Sequence, residues 1–176
     1  MRPQAFADTV HFHGHECPGL AIGYRLTQAA LEALQVVRSA DEDLVAVVEN
    51  DACGVDAVQF LSGCTFGKGN LIFRDVGKHA YTFYARSSGR AVRVRGVDPA
   101  GAPQDRQARI DWLLTAPPEQ VVAVEPVSGP PPAQARIRAS VTCTFCGERV
   151  METRARVLDG QIACMPCAAA RQEAAG

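Results

Sequence analysis

Long apolar runs are missing from this chain. Nowhere in its 176 residues does one reach the ~18 needed to cross a bilayer, so no membrane-spanning helix is expected. The opening MRPQAFADTVHFHGHE lacks both an apolar core and a small-residue cleavage site, so it does not read as a secretory leader. A cytoplasmic setting is the expectation. An excess of one charge is missing as well: 18 Lys and Arg face 19 Asp and Glu, a formal net charge of −1. No global field therefore draws nucleic acid or an anionic membrane. Residues 127–176 carry six Arg against four acids and a single aromatic, Phe145. That falls short of the basic, base-stacking signature of a nucleic-acid module. There is no internal repeat, no Rossmann fingerprint and no Ser/His/Asp signature.

What the chain does have is cysteine, seven of them. In a cytoplasmic protein these point to metal or thiol chemistry before disulfides. Four fall in one pattern, Cys143-x2-Cys146, then seventeen residues, then Cys164-x2-Cys167. A two-residue spacer lets one tight turn present two sulfurs to one ion, and four thiolates suit tetrahedral zinc. Gly147 accommodates the turn after the second sulfur. Arg149–Leu158, Asp159-Gly160 and Gln161–Ala163 read as a hairpin, with Cys164 and Cys167 at the start of a last helix. Knuckle, hairpin and helix together describe a treble-clef finger. Four protein ligands leave no open position, so this zinc is expected to be structural.

The preceding residues read as α+β, with helices packed on an antiparallel-rich sheet. Helices are expected over residues 3–11, from Pro18 to about Leu34, over Val55–Leu61 and over Asp105–Thr115. Leu44–Glu49, Leu71–Asp75, Ala80–Ala85, Ala91–Val97 and Val121–Val124 have strand length and β-branched or aromatic content. The middle three suggest a meander. Ser128-Gly129-Pro130-Pro131-Pro132 marks a stiff linker. The expected organisation is therefore a core over 1–127, a linker over 128–136 and a finger over 137–176.

The other three cysteines are Cys17, Cys53 and Cys64. His11, His13, His15 and Cys17 occupy alternate positions, and in an extended segment alternation places side chains on one side. His13, His15 and Cys17 are a candidate second metal site, because thiolate with imidazole suits zinc, nickel or copper better than magnesium or calcium. Cys17 and Cys53 each precede a helix, where exposed N–H groups favour a thiolate, so both are also candidate nucleophiles. Cys64 reads equally as core or site, and His79 as structural. Gly63–Gly69 fails as a Walker A loop, since three residues rather than four separate the glycine from Gly67-Lys68 and Gly69 follows the lysine. Lys68 remains a candidate anion contact.

Three segments in order, FHGHECPGLAIGYR (12–25), CGVDAVQFLSGCTFGKGNL (53–71) and CTFCGERVMETRARVLDGQIACMPC (143–167), resemble the FmdE-like family, named after a component of formylmethanofuran dehydrogenase. The resemblance implies an α+β core that tends to dimerise, followed by an auxiliary treble-clef finger. It also implies a metal-binding cleft at His13, His15, Cys17 and Cys53, with Asp56, Cys64 and Lys68 nearby. The molybdenum or tungsten enzyme of the family name works through other polypeptides that carry the pterin and iron–sulfur centres. Nothing here resembles those, so this chain alone is not expected to be the dehydrogenase. Three readings follow: an accessory metalloprotein serving a molybdenum or tungsten redox-enzyme partner, a stand-alone metal- or thiol-dependent enzyme at the core cleft, and a zinc-finger module that contacts protein.

Overall fold

The computed structural model describes residues 2–97, 99 and 101–174. The chain divides into two units, Met1–Ala135 and Arg136–Gly176. Ala135, at the end of the proline-rich segment, belongs to the first unit, where its N–H donates to Glu42 Oε2 at 3.1 Å.

The first unit opens with α1 (Gln4–His13) and α2 (Pro18–Leu34). α2 starts at Pro18 because the ring presets φ and removes an N–H that would have no partner there. Its apolar stripe, including Leu20, Tyr24, Leu26, Ala30 and Leu34, is buried. β1 (Leu44–Val48) then leads through Asn50–Cys53 into α3 (Gly54–Ser62), followed by β2 (Leu71–Phe73), β3 (Ala80–Ala85) and β4 (Arg90–Gly96). α4 (Arg106–Thr115) is capped by the Asp105 carboxylate, which accepts from the Ala108 N–H at 2.8 Å. α5 (Pro118–Val121) and β5 (Val122–Pro126) complete the unit.

The strands form one sheet in the order β2-β1-β3-β4-β5. Three of its four pairings are antiparallel. The expected meander is only partly present. β2 runs parallel to β1, with Ala46 opposite Leu71, because a whole helix separates the two strands and carries the chain back. Leu44, Ala46 and Val48 of β1 alternate onto the face that joins the helices in one core, together with Tyr81, Phe83, Val92 and Val94.

A very close backbone approach joins α2 to α3. A Cβ on Gly23 would sit 2.3 Å from the Gly54 Cα, so neither position has room for a side chain. This approach brings the starts of the two helices together.

The second unit is built from short pieces. β6 (Ser140–Thr142) pairs with β7 (Arg149–Met151) around the first Cys pair, and a 3-10 turn over Glu152–Arg154 follows. β8 (Arg156–Leu158) then pairs with β9 (Gln161–Ala163) through Asp159 and Gly160, both at positive φ. α6 (Met165–Glu173) begins directly after Cys164. The segment 149–158, expected to be one strand, is two strands with separate partners, broken at the 3-10 turn. Among the described residues no helix is long and apolar enough to cross a membrane.

Candidate metal centres

In the second unit, the ligand atoms of Cys143, Cys146, Cys164 and Cys167 all lie within 4.8 Å of one another. Cys146 Sγ is 3.8 Å from Cys164 Sγ. Sulfurs at the corners of a tetrahedron with bonds of about 2.3 Å would stand about 3.8 Å apart, so the donor set fits one ion such as zinc. The thiols are electrostatically interdependent. The Cys164 N–H donates to Cys143 Sγ at 3.3 Å and holds that thiol down at about 6. Its contact with Cys164, followed by burial and the remaining sulfurs, pushes Cys167 up to about 12. Four thiolates this close need a cation between them.

In the first unit, three helix ends meet. α1 runs on through His13 and closes at Gly14, whose φ of 99° turns the chain sharply. Cys17 caps α2, its sulfur accepting the Leu20 N–H at 3.3 Å. Cys53 stands immediately before α3. His13, Cys17 and Cys53 have ligand atoms within 4.8 Å of one another. His13 Nε2 lies 4.0 Å from Cys17 Sγ, while Nδ1 hydrogen-bonds Asp56 Oδ2 at 2.7 Å. With the proton on Nδ1 donated to the carboxylate, the Nε2 lone pair faces the sulfurs. This carboxylate–histidine pairing is the arrangement that orients metal-ligating imidazoles. Asp56 is itself held by Gln59, whose Nε2 donates to Oδ1 at 3.3 Å. Burial, and then the neighbouring Cys17, pushes the Cys53 thiol up, so the pair of sulfurs resists double ionisation without a cation.

Not every candidate joins this group. His15 is exposed; its ring stacks 4.5 Å from that of His13, and it is not among the three converging ligands. The alternation that united His11, His13, His15 and Cys17 needs an extended chain, and α1 covers the first two of them. The useful spacing is four, from His13 across the Gly14 turn to Cys17. Lys68 is also elsewhere, its Nζ donating to the Ala40 carbonyl at 3.3 Å. Cys64 is fully buried, with its thiol donating to the Leu44 carbonyl at 3.3 Å, and burial pushes its pKa up. His79 hydrogen-bonds Asn50 at 3.1 Å.

One residue beside the site gave no sequence signal. Tyr81 is 0% exposed, and its hydroxyl has no hydrogen-bond partner. A Cβ on Gly54, the residue after Cys53, would come within 2.4 Å of that oxygen. An unpartnered buried hydroxyl carries its full desolvation cost. Tyr81→Phe is therefore expected to raise the stability of the metal-free protein by about 1 kcal/mol or more, read from the urea midpoint.

His13 and Cys53 line a cleft of 440 Å³, shared with Asn50, Asp51, Phe66 and Phe73 among others. An ion held by these three residues, two of them on the cleft wall, would keep a coordination position for water or a small molecule.

The sequence profile described as FmdE, molybdenum formylmethanofuran dehydrogenase operon, matches residues 12–123. A probable S-adenosyl-L-methionine-binding protein of Archaeoglobus fulgidus is 34% identical over 188 aligned positions, covering 89% of this chain and 50% of that protein. The chain thus spans about half the length of this curated relative. The crystal structure of a tungsten formylmethanofuran dehydrogenase FmdE-like protein from Syntrophus aciditrophicus aligns with a TM-score of 0.74 at 24% identity. The alignment covers 95% of this chain and 92% of that one and shows a shared fold. The matched stretch contains His13, Cys17, Cys53 and Asp56, and with it the chain belongs to the FmdE family.

Proposed function

We propose that the protein is a two-metal accessory protein of a molybdenum or tungsten redox enzyme. Cys143, Cys146, Cys164 and Cys167 hold a structural zinc in a treble-clef finger. His13, Cys17 and Cys53 hold a second transition ion, zinc or nickel, in the core. The observation that carries this reading is the convergence of one imidazole and two sulfurs at three helix ends, with Asp56 orienting the imidazole. Two thiolates and one imidazole suit these ions better than a hard cation. The partner enzyme is inferred from the operon in the family's description. All seven cysteines are unpaired, in keeping with a reducing cytoplasmic setting. The reading includes a homodimer, from the family resemblance. S-adenosyl-L-methionine binding is left with the archaeal relative, of which this chain spans only half.

A second reading is favoured by the open coordination position beside the cleft: a metal there activates bound water or a carbonyl, making the chain an enzyme in its own right. Both readings need the core metal. Mass-spectrometric metal analysis of the purified full chain is expected to give two ions per chain, falling to one in Cys17→Ser and in Cys53→Ser. A single ion in the unmodified protein, unchanged in these variants, would remove the core site from either account.

A further inference from the structure

The cleft beside the core site has a marked polarity of hydrogen bonding. Among the described residues, none that lines it is Lys or Arg. Its two amide side chains have each engaged their nitrogen once, and its only unpaired charged group among the described residues is a carboxylate. Gln59 donates its amide N–H to Asp56, and the Asn50 amide nitrogen is engaged with His79. Both Asp56 oxygens are used, one by His13 and one by Gln59. On the wall stand the Asp51 carboxylate and Gln59, whose Oε1 is a free acceptor and whose amide keeps a second N–H beside the one given to Asp56. A metal held by two thiolates and a neutral imidazole adds no net positive charge that would reverse this sign. The wall also carries two aromatic rings that the core does not cover, Phe66 at 78% and Phe73 at 45% exposure. Exposed rings lining a concave site offer faces for stacking and for cation–π contact.

We propose that this cleft binds a small organic amine in its protonated form, and not a phosphate or carboxylate. The ammonium group meets Asp51 and Gln59 Oε1, and the apolar body lies against Phe66 and Phe73. The proposal deepens the core-site reading and rests on it for the cleft's role, though not for the binding itself. An amine finds a carboxylate, an amide oxygen and an aromatic wall, whereas an anion would face that carboxylate with no Lys or Arg on the wall to offset it.

The probes are benzylammonium and benzoate, alike in ring and opposite in charge, with inorganic phosphate as a second anion. Each is titrated into the 15N-labelled full chain, metal-free and zinc-loaded, and read by amide shifts. Benzylammonium is expected to shift Asp51, Gln59 and Phe66 at millimolar concentration, while neither anion does. Asp51→Asn is expected to weaken binding about fivefold, the loss of one exposed charge pair. Phe66→Ala should weaken it as well. Equal or tighter binding of benzoate or phosphate overturns the proposal, as does the absence of any shift with benzylammonium. It is also overturned if Phe66→Ala leaves amine affinity intact but dissociates a dimer in ultracentrifugation, since the rings would then serve an interface between copies. Failure to load a core metal, with amine binding preserved in the metal-free protein, would count against the core-site reading alone.

Discussion

Stripping the metal from the cysteine-rich unit is expected to unfold residues 136–174 while leaving the first unit folded. The reason is the near absence of a core. Among the described residues of this unit only Cys143, Ala163, Cys164 and Ala168 are buried hydrophobics, and two of those four are the ligands themselves. Val157 and Met151, two of the unit's larger apolar side chains, are 77% and 50% exposed. Pairings of three residues each, β6 with β7 and β8 with β9, do not stand alone in water. Metal binding to such a unit is its folding free energy, ~10 kcal/mol or more for structural zinc in small modules. Chelation, or Cys146→Ser combined with chelation, should therefore collapse the amide dispersion of this unit in a 15N–1H spectrum. Signals from β1 to β5 should persist. Retained dispersion in the metal-free finger would mean that something other than the ion holds it.

The second large effect falls on Gly23. Its Cβ would stand 2.3 Å from the Gly54 Cα and 2.4 Å from the Gly54 carbonyl oxygen, and backbone cannot rotate away as a side chain can. Gly23→Ala must push α2 from α3, costing about 3–5 kcal/mol, at the upper end for overpacking and single substitutions. The consequence reaches the site, because Cys17 caps α2 and Cys53 precedes α3. Relieving a 2.3 Å contact to the 3.4 Å of ordinary packing moves the helices apart, and that displacement separates the two sulfurs. The variant is expected to lower the urea midpoint and to lose the core metal while keeping the finger metal. Full metal content with unchanged stability would show that the helix contact does not set the site.

These two effects differ in how far they can be read without a structure. The finger is written in its spacing: two Cys-x2-Cys pairs bring their sulfurs together through local turns, so sequence order nearly determines geometry. The core site is only half local. His13 and Cys17 are four residues apart, but their convergence depends on the left-handed turn at Gly14 and on α1 continuing through His13. An expectation of extended chain there added His15 to the set beside His13 and Cys17. Cys53 arrives through β1 and the α2–α3 packing, a long-range event that no spacing records. The periodicity of Leu20, Tyr24, Leu26, Ala30 and Leu34 was sufficient for α2, because one buried face is a repeating signal. That β2 would not pair with β3 was not legible, since strands next to each other in sequence need not be neighbours in the sheet. Tyr81 reads in AYTFYA as one more strand aromatic. Its distinction is an unpartnered oxygen, which exists only once the surroundings are packed.

The proposed function requires that His13, Cys17 and Cys53 bind an ion. Diffraction from crystals of the full chain, collected on either side of the zinc and nickel absorption edges, tests it most directly. Two anomalous peaks per chain are expected. One should lie among the four finger sulfurs and the other about 2.0–2.3 Å from His13 Nε2, Cys17 Sγ and Cys53 Sγ. A peak among the finger sulfurs alone, with His13 still bound to Asp56 and no anomalous density between Cys17 and Cys53, would contradict it.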